Sequence, residues 1–195
     1  MNMALRKIYL FMMVSLDGYF EGPKHDLSWH NVDKEFNAFA NRQLKETSTL
    51  LLGRRTYQLF ADFWPAAAKN PRMPKDVLLT GRLMNKMKKV VFSRTLKRAG
   101  WENTRLVSGG AFREVAKLKR EPGKDIAILG SNNLCVSLME KGLVDEFRLM
   151  VNPVAIERGT PLFKGAKRRV KLKLIRAKTF KNGNILLYYQ LARKR

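Results

Sequence analysis

The chain has 195 residues, 45% of them hydrophobic and 28% charged, and its 39 Lys and Arg against 16 Asp and Glu give a formal net charge of +23. That composition suits a globular chain with one sizeable core and speaks against disorder or a fibrous repeat. The longest apolar run, Ile8 to Val14, has seven residues and is too short to cross a bilayer. Cys135 alone cannot form an internal disulfide, and with only His25 and His30 beside it no structural zinc site is expected, so a reducing, cytoplasmic setting fits.

Ile8 to Val14 is continuously apolar and reads as a strand buried on both faces. A long loop, Ser15 to Asn31, follows. Phe36, Phe39, Ala40 and Leu44 then share one helical face after a cap at Asn31 or Asp33. Short buried strands recur at 49–52, 89–92, 104–107, 126–129 and 147–151. A helix opens after Gly53-Arg54-Arg55-Thr56, another carries Phe112, Val115, Ala116 and Leu118 after Ser108-Gly109-Gly110, and a third holds Leu134, Val136, Leu138 and Met139 before a Gly142 stop. From Val170 onward polar and apolar residues alternate across an Asn182-Gly183 turn, which predicts an antiparallel β-hairpin at one sheet edge. Strands alternating with helices predict an α/β chain with a mixed, mostly parallel central sheet covered on both faces, as a single domain over 1–195.

Three strand ends carry groups that suit phosphate. Gly53 lets a backbone or ligand approach, Thr56 offers a hydroxyl near a helix start, and Arg54 and Arg55 supply guanidinium forks. A glycine turn with solvated arginines reads equally well from these residue types. Gly130-Ser131-Asn132 has the same strand, glycine, helix form, and there the alternative is a simple helix cap. Ser93 and Arg94 follow a third strand. Open α/β sheets bind ligands outside the carboxyl ends of their strands, so the three together weigh more than any one. Neither Gly-x-Gly-x-x-Gly nor a P-loop pattern is present. Residues 1–35 hold four Lys and Arg against five acids, and Asp33 or Glu35, beside Phe36 and Phe39, could hold a protonated heterocycle or merely complement a helix dipole.

Ser15-Leu16-Asp17-Gly18, Leu52-Gly53-Arg54-Arg55-Thr56-Tyr57, Val91-Phe92-Ser93-Arg94-Thr95-Leu96, Pro122-Gly123-Lys124-Asp125-Ile126, Gly130-Ser131 and Leu143-Val144-Asp145-Glu146-Phe147, with Pro153-Val154 and Pro161-Leu162-Phe163, are in this order similar to the dihydrofolate-reductase-like family. Within it they resemble the branch of the C-terminal reductase domain of the bifunctional riboflavin-biosynthesis protein. The resemblance spans nearly the whole chain. It implies a three-layer fold with about eight strands, NADPH across the strand carboxyl ends, and hydride transfer to a small pteridine- or aminopyrimidine-like heterocycle. It further implies that Gly53, Arg54, Arg55 and Thr56 meet the adenosine phosphates, an arginine favouring NADPH over NADH. Ser93 and Arg94 would flank the adenine ribose, and Gly130, Ser131, Asn132 and Leu134 would line the pyrophosphate and nicotinamide side. Met12, Met13 and the loop from Asp17 to Gly22 would sit over the nicotinamide. Glu35, with Asp33 as rival, would be the catalytic carboxylate, Phe39 and Trp29 joining Met12 in the substrate pocket. Asn132 stands where the family often has glycine, and Glu157 interrupts the family's loop pattern.

The charge offers a different class of reading. Arg158 to Arg195 carries 13 Lys and Arg and no acid, a footprint suited to phosphate backbones. No reader motif accompanies it, so the expectation is a basic enzyme without specific nucleic-acid binding. A reductase-like fold without activity is the third alternative. The apolar stretch Leu149 to Val154, with Pro161-Leu162-Phe163, is expected to support a homodimer.

Overall fold

The computed structural model describes residues 5–192. In chain order the elements are β1 (Ile8–Ser15), β2 (Tyr19–Glu21), α1 (Lys34–Lys45), β3 (Thr47–Gly53), α2 (Arg54–Ala67), α3 (Lys75–Lys86), β4 (Lys88–Phe92), β5 (Thr104–Val107), α4 (Ala111–Arg120), β6 (Asp125–Leu129), α5 (Asn132–Glu140), β7 (Glu146–Asn152), β8 (Thr160–Pro161), β9 (Leu172–Thr179) and β10 (Ile185–Leu191). Eight of the strands form one sheet in the order β5-β4-β3-β6-β1-β7-β10-β9. Its first six strands pair in parallel, whereas β10 runs antiparallel to both β7 and β9. The fold is therefore the expected α/β arrangement, with the C-terminal hairpin at one edge.

Side chains of β1 alternate between faces, and each face buries its own cluster. Ile8, Leu10, Met12 and Val14 pack with Val115 and Leu118 of α4 and with Cys135 and Leu138 of α5. Tyr9 faces the opposite way with Tyr57 of α2 and Met84 of α3, and Met13 packs beside Phe36 and Phe39 of α1. Covering both faces explains why the parallel strands read as unbroken apolar runs. At the other end of the sheet the buried Arg6 guanidinium donates to Lys124 O (2.6 Å) and to the Ser48 and Thr49 hydroxyls (2.8 Å each). Burial pushes the Cys135 thiol up to about 12, so it packs as an inert small hydrophobe.

Elements absent from the sequence reading are short or have their apolar pattern interrupted. The fully buried positions of α3 are Thr80, Gly81 and Met84, with Val77, Leu78, Leu79 and Leu83 half-buried, so a threonine and a glycine interrupt the stripe that would announce the helix. A Cβ at Gly81 would stand 2.9 Å from that of Ala68, which is why a glycine sits mid-helix where α2 and α3 approach. Strands β2 and β8 pair antiparallel as a two-stranded ribbon, and with three and two residues they are too short to display a period. The apolar stretch at Leu149 belongs to β7, which lies inside the sheet between β1 and β10. It is consumed by the core. The apolar residues exposed on the edge strand are instead Leu174 and Ile175 of β9. Among the described residues no helix is long and apolar enough to cross a membrane.

Candidate functional site

Parallel strands place their carboxyl ends along one margin of the sheet, and there a cleft of about 1140 Å³ opens. Gly53 ends β3, Phe92 ends β4, Val107 ends β5, and Gly130 follows β6, all lining it. Helices α2, α4 and α5 start at this margin. None of the three has a side-chain cap. Their N-cap residues are Gly53, Gly110 and Ser131, so the first-turn amides and the positive dipole ends stay available to an anion. By contrast α1, away from the cleft, is capped by Asp33, whose Oδ1 accepts the Phe36 N–H at 2.8 Å.

Ser131 is diverted from capping its own helix. Its Oγ accepts the Gly53 N–H at 2.8 Å, and its proton lies within reach of Thr56 Oγ1 (3.0 Å) and Leu129 O (3.2 Å). The two strand-to-helix turns are thus pinned to one another. Gly130 has φ 60°, and a Cβ there would lie 3.3 Å from Thr56 Cγ2, so conformation and space both call for glycine. Arg54, Arg55 and Arg94 line the cleft with Lys164. Arg54 is steadied by a 2.9 Å bond to the Thr95 hydroxyl, and the Ser93 Oγ accepts the Thr95 and Leu96 amides. Asn132 is 4% exposed; its Nδ2 donates to Lys164 O at 3.4 Å, while its Oδ1 has no partner. A buried acceptor left open inside a donor-rich cleft suits a ligand hydroxyl or amide N–H.

The structure brings together Gly53, Arg54, Arg55, Thr56, Ser93, Arg94, Gly130, Ser131, Asn132 and Leu134 on this cleft. Of the loop from Asp17 to Gly22, Phe20 and Glu21 also line it, whereas Asp17, Gly22 and the other residues singled out in the sequence lie off it. Met12 and Met13 point to opposite faces of β1. Phe39 stacks against Phe11 (5.8 Å between centroids) and edge-on to Phe180 (5.7 Å) inside the third core cluster. Asp17 Oδ2 accepts the Ile156 and Glu157 amides, and the Ser15 hydroxyl, followed by those amides, holds its carboxyl below the usual range. Gly22 is buried in the loop beneath Asp26, and Trp29 donates its indole N–H to Asp26 O. Glu35 accepts the Lys181 N–H at 3.0 Å and pairs with Lys178 at 3.3 Å, contacts that hold it below the usual carboxylate range.

Two groups of lining residues went unassigned in the sequence. Ser108-Gly109-Gly110 and Phe112 wall the cleft at the start of α4, with the same strand, glycine, helix signal as the turns that were noticed. Phe20 and Glu21, from the Asp17–Gly22 loop that the resemblance places near the cofactor, do reach the cleft, whereas His25 and Thr160, beside the β2–β8 ribbon, line it without a sequence signal that announces a site.

Sheet, cleft and helix starts define an α/β protein whose parallel strands end at a cleft lined by three helix N-termini and by basic side chains. Residues 6–186 match the family model described as the RibD C-terminal domain, and the chain belongs to that reductase-like family. It is 34% identical over 190 residues to the uncharacterized protein YyaP of Bacillus subtilis (strain 168), covering 96% of each chain. Among solved structures it is similar to a candidate riboflavin biosynthesis protein from Shewanella sp. PV-4, with a TM-score of 0.71, 20% identity, and coverage of 96% of this chain and 99% of that one. It is also similar to the diaminohydroxyphosphoribosylaminopyrimidine deaminase/5-amino-6-(5-phosphoribosylamino)uracil reductase of Thermotoga maritima, with a TM-score of 0.69, 15% identity, and coverage of 96% of this chain and 57% of that one. These two structures bear out the fold expected from the sequence.

Proposed function

We propose that the protein is a reductase that takes NADPH into the strand-end cleft and passes hydride to a small heterocycle of the pteridine or aminopyrimidine type. The observation that carries this reading is the convergence of three helix N-termini without side-chain caps on a cleft lined by Arg54, Arg55 and Arg94. A phosphorylated dinucleotide fits what is present. Gly130 leaves room that a Cβ would fill, and Asn132 Oδ1 waits for a donor. Arg54 and Arg55 would take the 2′-phosphate, Ser93 and Arg94 would flank the adenine ribose, and Thr56, Ser131 and the first turn of α5 would hold the pyrophosphate. When bound, NADPH supplies the hydride.

On the substrate side, Phe39 and Met13 offer an apolar wall beside β1, with Trp29 as a further neighbour in this reading, while Met12 faces the opposite layer and belongs to the core there. Held as it is by Lys181 and Lys178, Glu35 is ionised at neutral pH, so it would bind a ring N–H rather than give up a proton. Asp33 has one oxygen committed to its helix cap. We extend the proposal to a homodimer through the apolar residues exposed on β9, which sedimentation of the parent and of Leu174→Glu would test.

The deciding experiment is calorimetric titration of the parent, Arg54→Ala and Arg55→Ala with NADPH and NADH. The parent is expected to prefer NADPH, and loss of a guanidinium to cut NADPH affinity roughly 10- to 100-fold while leaving NADH nearly untouched. Equal affinity for the two cofactors, unmoved by either substitution, would overturn the reading.

A further inference from the structure

His25 occupies a conformation that its residue type disfavours. The Asp26 N–H donates to Pro23 O at 3.1 Å, closing a tight turn whose two central residues, Lys24 and His25, have φ of 56° and 63°. Turns with positive φ at both central positions are ordinarily built from Asn and Gly, because a Cβ is strained there. Strain of that kind persists only where the surroundings over-determine it. Here they do. His25 Nδ1 lies 2.8 Å from Glu21 Oε2, and Glu21 Oε1 accepts the Thr160 hydroxyl at 2.8 Å. A Cβ on Gly159 would fall 2.1 Å from Glu21 O, so the chain before Thr160 lies flush against Glu21.

All three side chains line the cleft. Glu21 is the one carboxylate among the described residues that line it, and its partners there are the Thr160 hydroxyl and the His25 ring. The same cleft is lined by the helix starts, the arginines and Lys164, all of which favour an anion. An unmasked carboxylate in that wall would repel the ligand the rest of the cleft attracts. The His25 side chain is half exposed while that of Glu21 is 16% exposed, so the imidazole covers the carboxylate oxygen it meets and keeps its own outer edge open.

We infer that the strained Pro23–Asp26 turn places His25 to mask Glu21 and to donate a charge-assisted hydrogen bond from its second ring nitrogen to a phosphate group of the bound ligand. Glu21 and Thr160 are positioning residues that orient the ring, Nδ1 toward the carboxylate and Nε2 toward the phosphate. This deepens the nucleotide reading and rests on it for the identity of the ligand, though not for the phosphate chemistry.

The test uses the full chain with two probes, NADPH and inorganic pyrophosphate, and the variants His25→Gly, His25→Asn and the double variant Glu21→Gln/His25→Asn. Gly and Asn both suit positive φ, so Tm should stay level or rise while affinity for each probe falls about tenfold or more. Removing the exposed acid in the double variant should restore part of that loss. Unchanged affinity in His25→Gly and His25→Asn would overturn the inference and leave the reductase reading standing. A parent that binds pyrophosphate in a His25-dependent way but not NADPH would uphold the inference and refute the nucleotide. A parent that binds neither probe would refute both.

Discussion

The Ser131 hydroxyl accepts the Gly53 N–H at 2.8 Å and so ties the end of β3 to the start of α5, 78 residues further along the chain. The bond crosses from one phosphate-type turn to another. Ser131→Ala should cost about 1 kcal/mol of stability, because the Gly53 amide loses its partner, and should weaken NADPH binding by splaying the two turns. Urea denaturation and calorimetry of the same variant would read the two effects separately. A variant with parental stability and affinity would show that the two turns hold their positions independently.

Gly130 combines a left-handed φ with a 3.3 Å approach to the Thr56 methyl. Gly130→Ala is accordingly expected to destabilise the chain by roughly 1–2 kcal/mol and to displace Thr56 from the cleft wall. The signature is a joint loss of Tm and ligand affinity, whereas Gly109→Ala, with nothing within 4 Å of its Cβ and no positive φ, should change Tm little.

Lys89 is fully buried and donates to Met84 O, Asn85 O and Met87 O at 2.8–3.0 Å, with its ammonium 4.3 Å from the Trp101 ring centroid. It closes the carboxyl end of α3, where cations are favoured. Lys89→Met removes three donors from buried carbonyls and should cost roughly 2–3 kcal/mol in denaturant unfolding, with NADPH affinity unchanged because the cleft lies elsewhere. Affinity falling in step with stability would mean that α3 supports the cleft after all.

Burial pushes His30 down to about 4 from an ordinary 6.5, against a weaker pull from Asp26, and its Nε2 has no hydrogen-bond partner. Between those two values the unfolded chain holds more protons than the folded one. Stability therefore falls as pH is lowered through that window. His30→Gln should flatten this part of the profile of urea midpoint against pH. Parallel profiles for parent and variant would show that His30 titrates alike in both states.

The basic, glycine-lined wall of the cleft was readable in the sequence because its turns repeat one pattern: a buried strand, a glycine and a helix start bearing hydroxyls or guanidinium groups. The third example, Ser108-Gly109-Gly110, opens its helix with Ala111 and Phe112 and brings its arginine only at Arg113, so the signal is weaker. The other wall was hidden for a different reason. Glu21, His25 and Thr160 meet through a ribbon whose strands have three and two residues, and no periodicity survives at that length. Adjacency in sequence does not carry over to the fold: Met12 and Met13 are neighbours along the chain but face opposite layers of the molecule. Phe39 shows the ambiguity of an aromatic residue on an apolar helix face, since the same pattern serves a core and a pocket.

Helices α2, α4 and α5 begin without caps of their own, so their opening amides are left to whatever fills the cleft. Occupancy is consequently written into the exchange rates of a few backbone protons. Deuterium uptake at residues 54–56, 111–113 and 132–134 should slow on ligand binding, while the opening turn of α1, already closed by Asp33, keeps its pace. Each helix start then serves as a built-in gauge, able to register any bound anion before its chemistry is known.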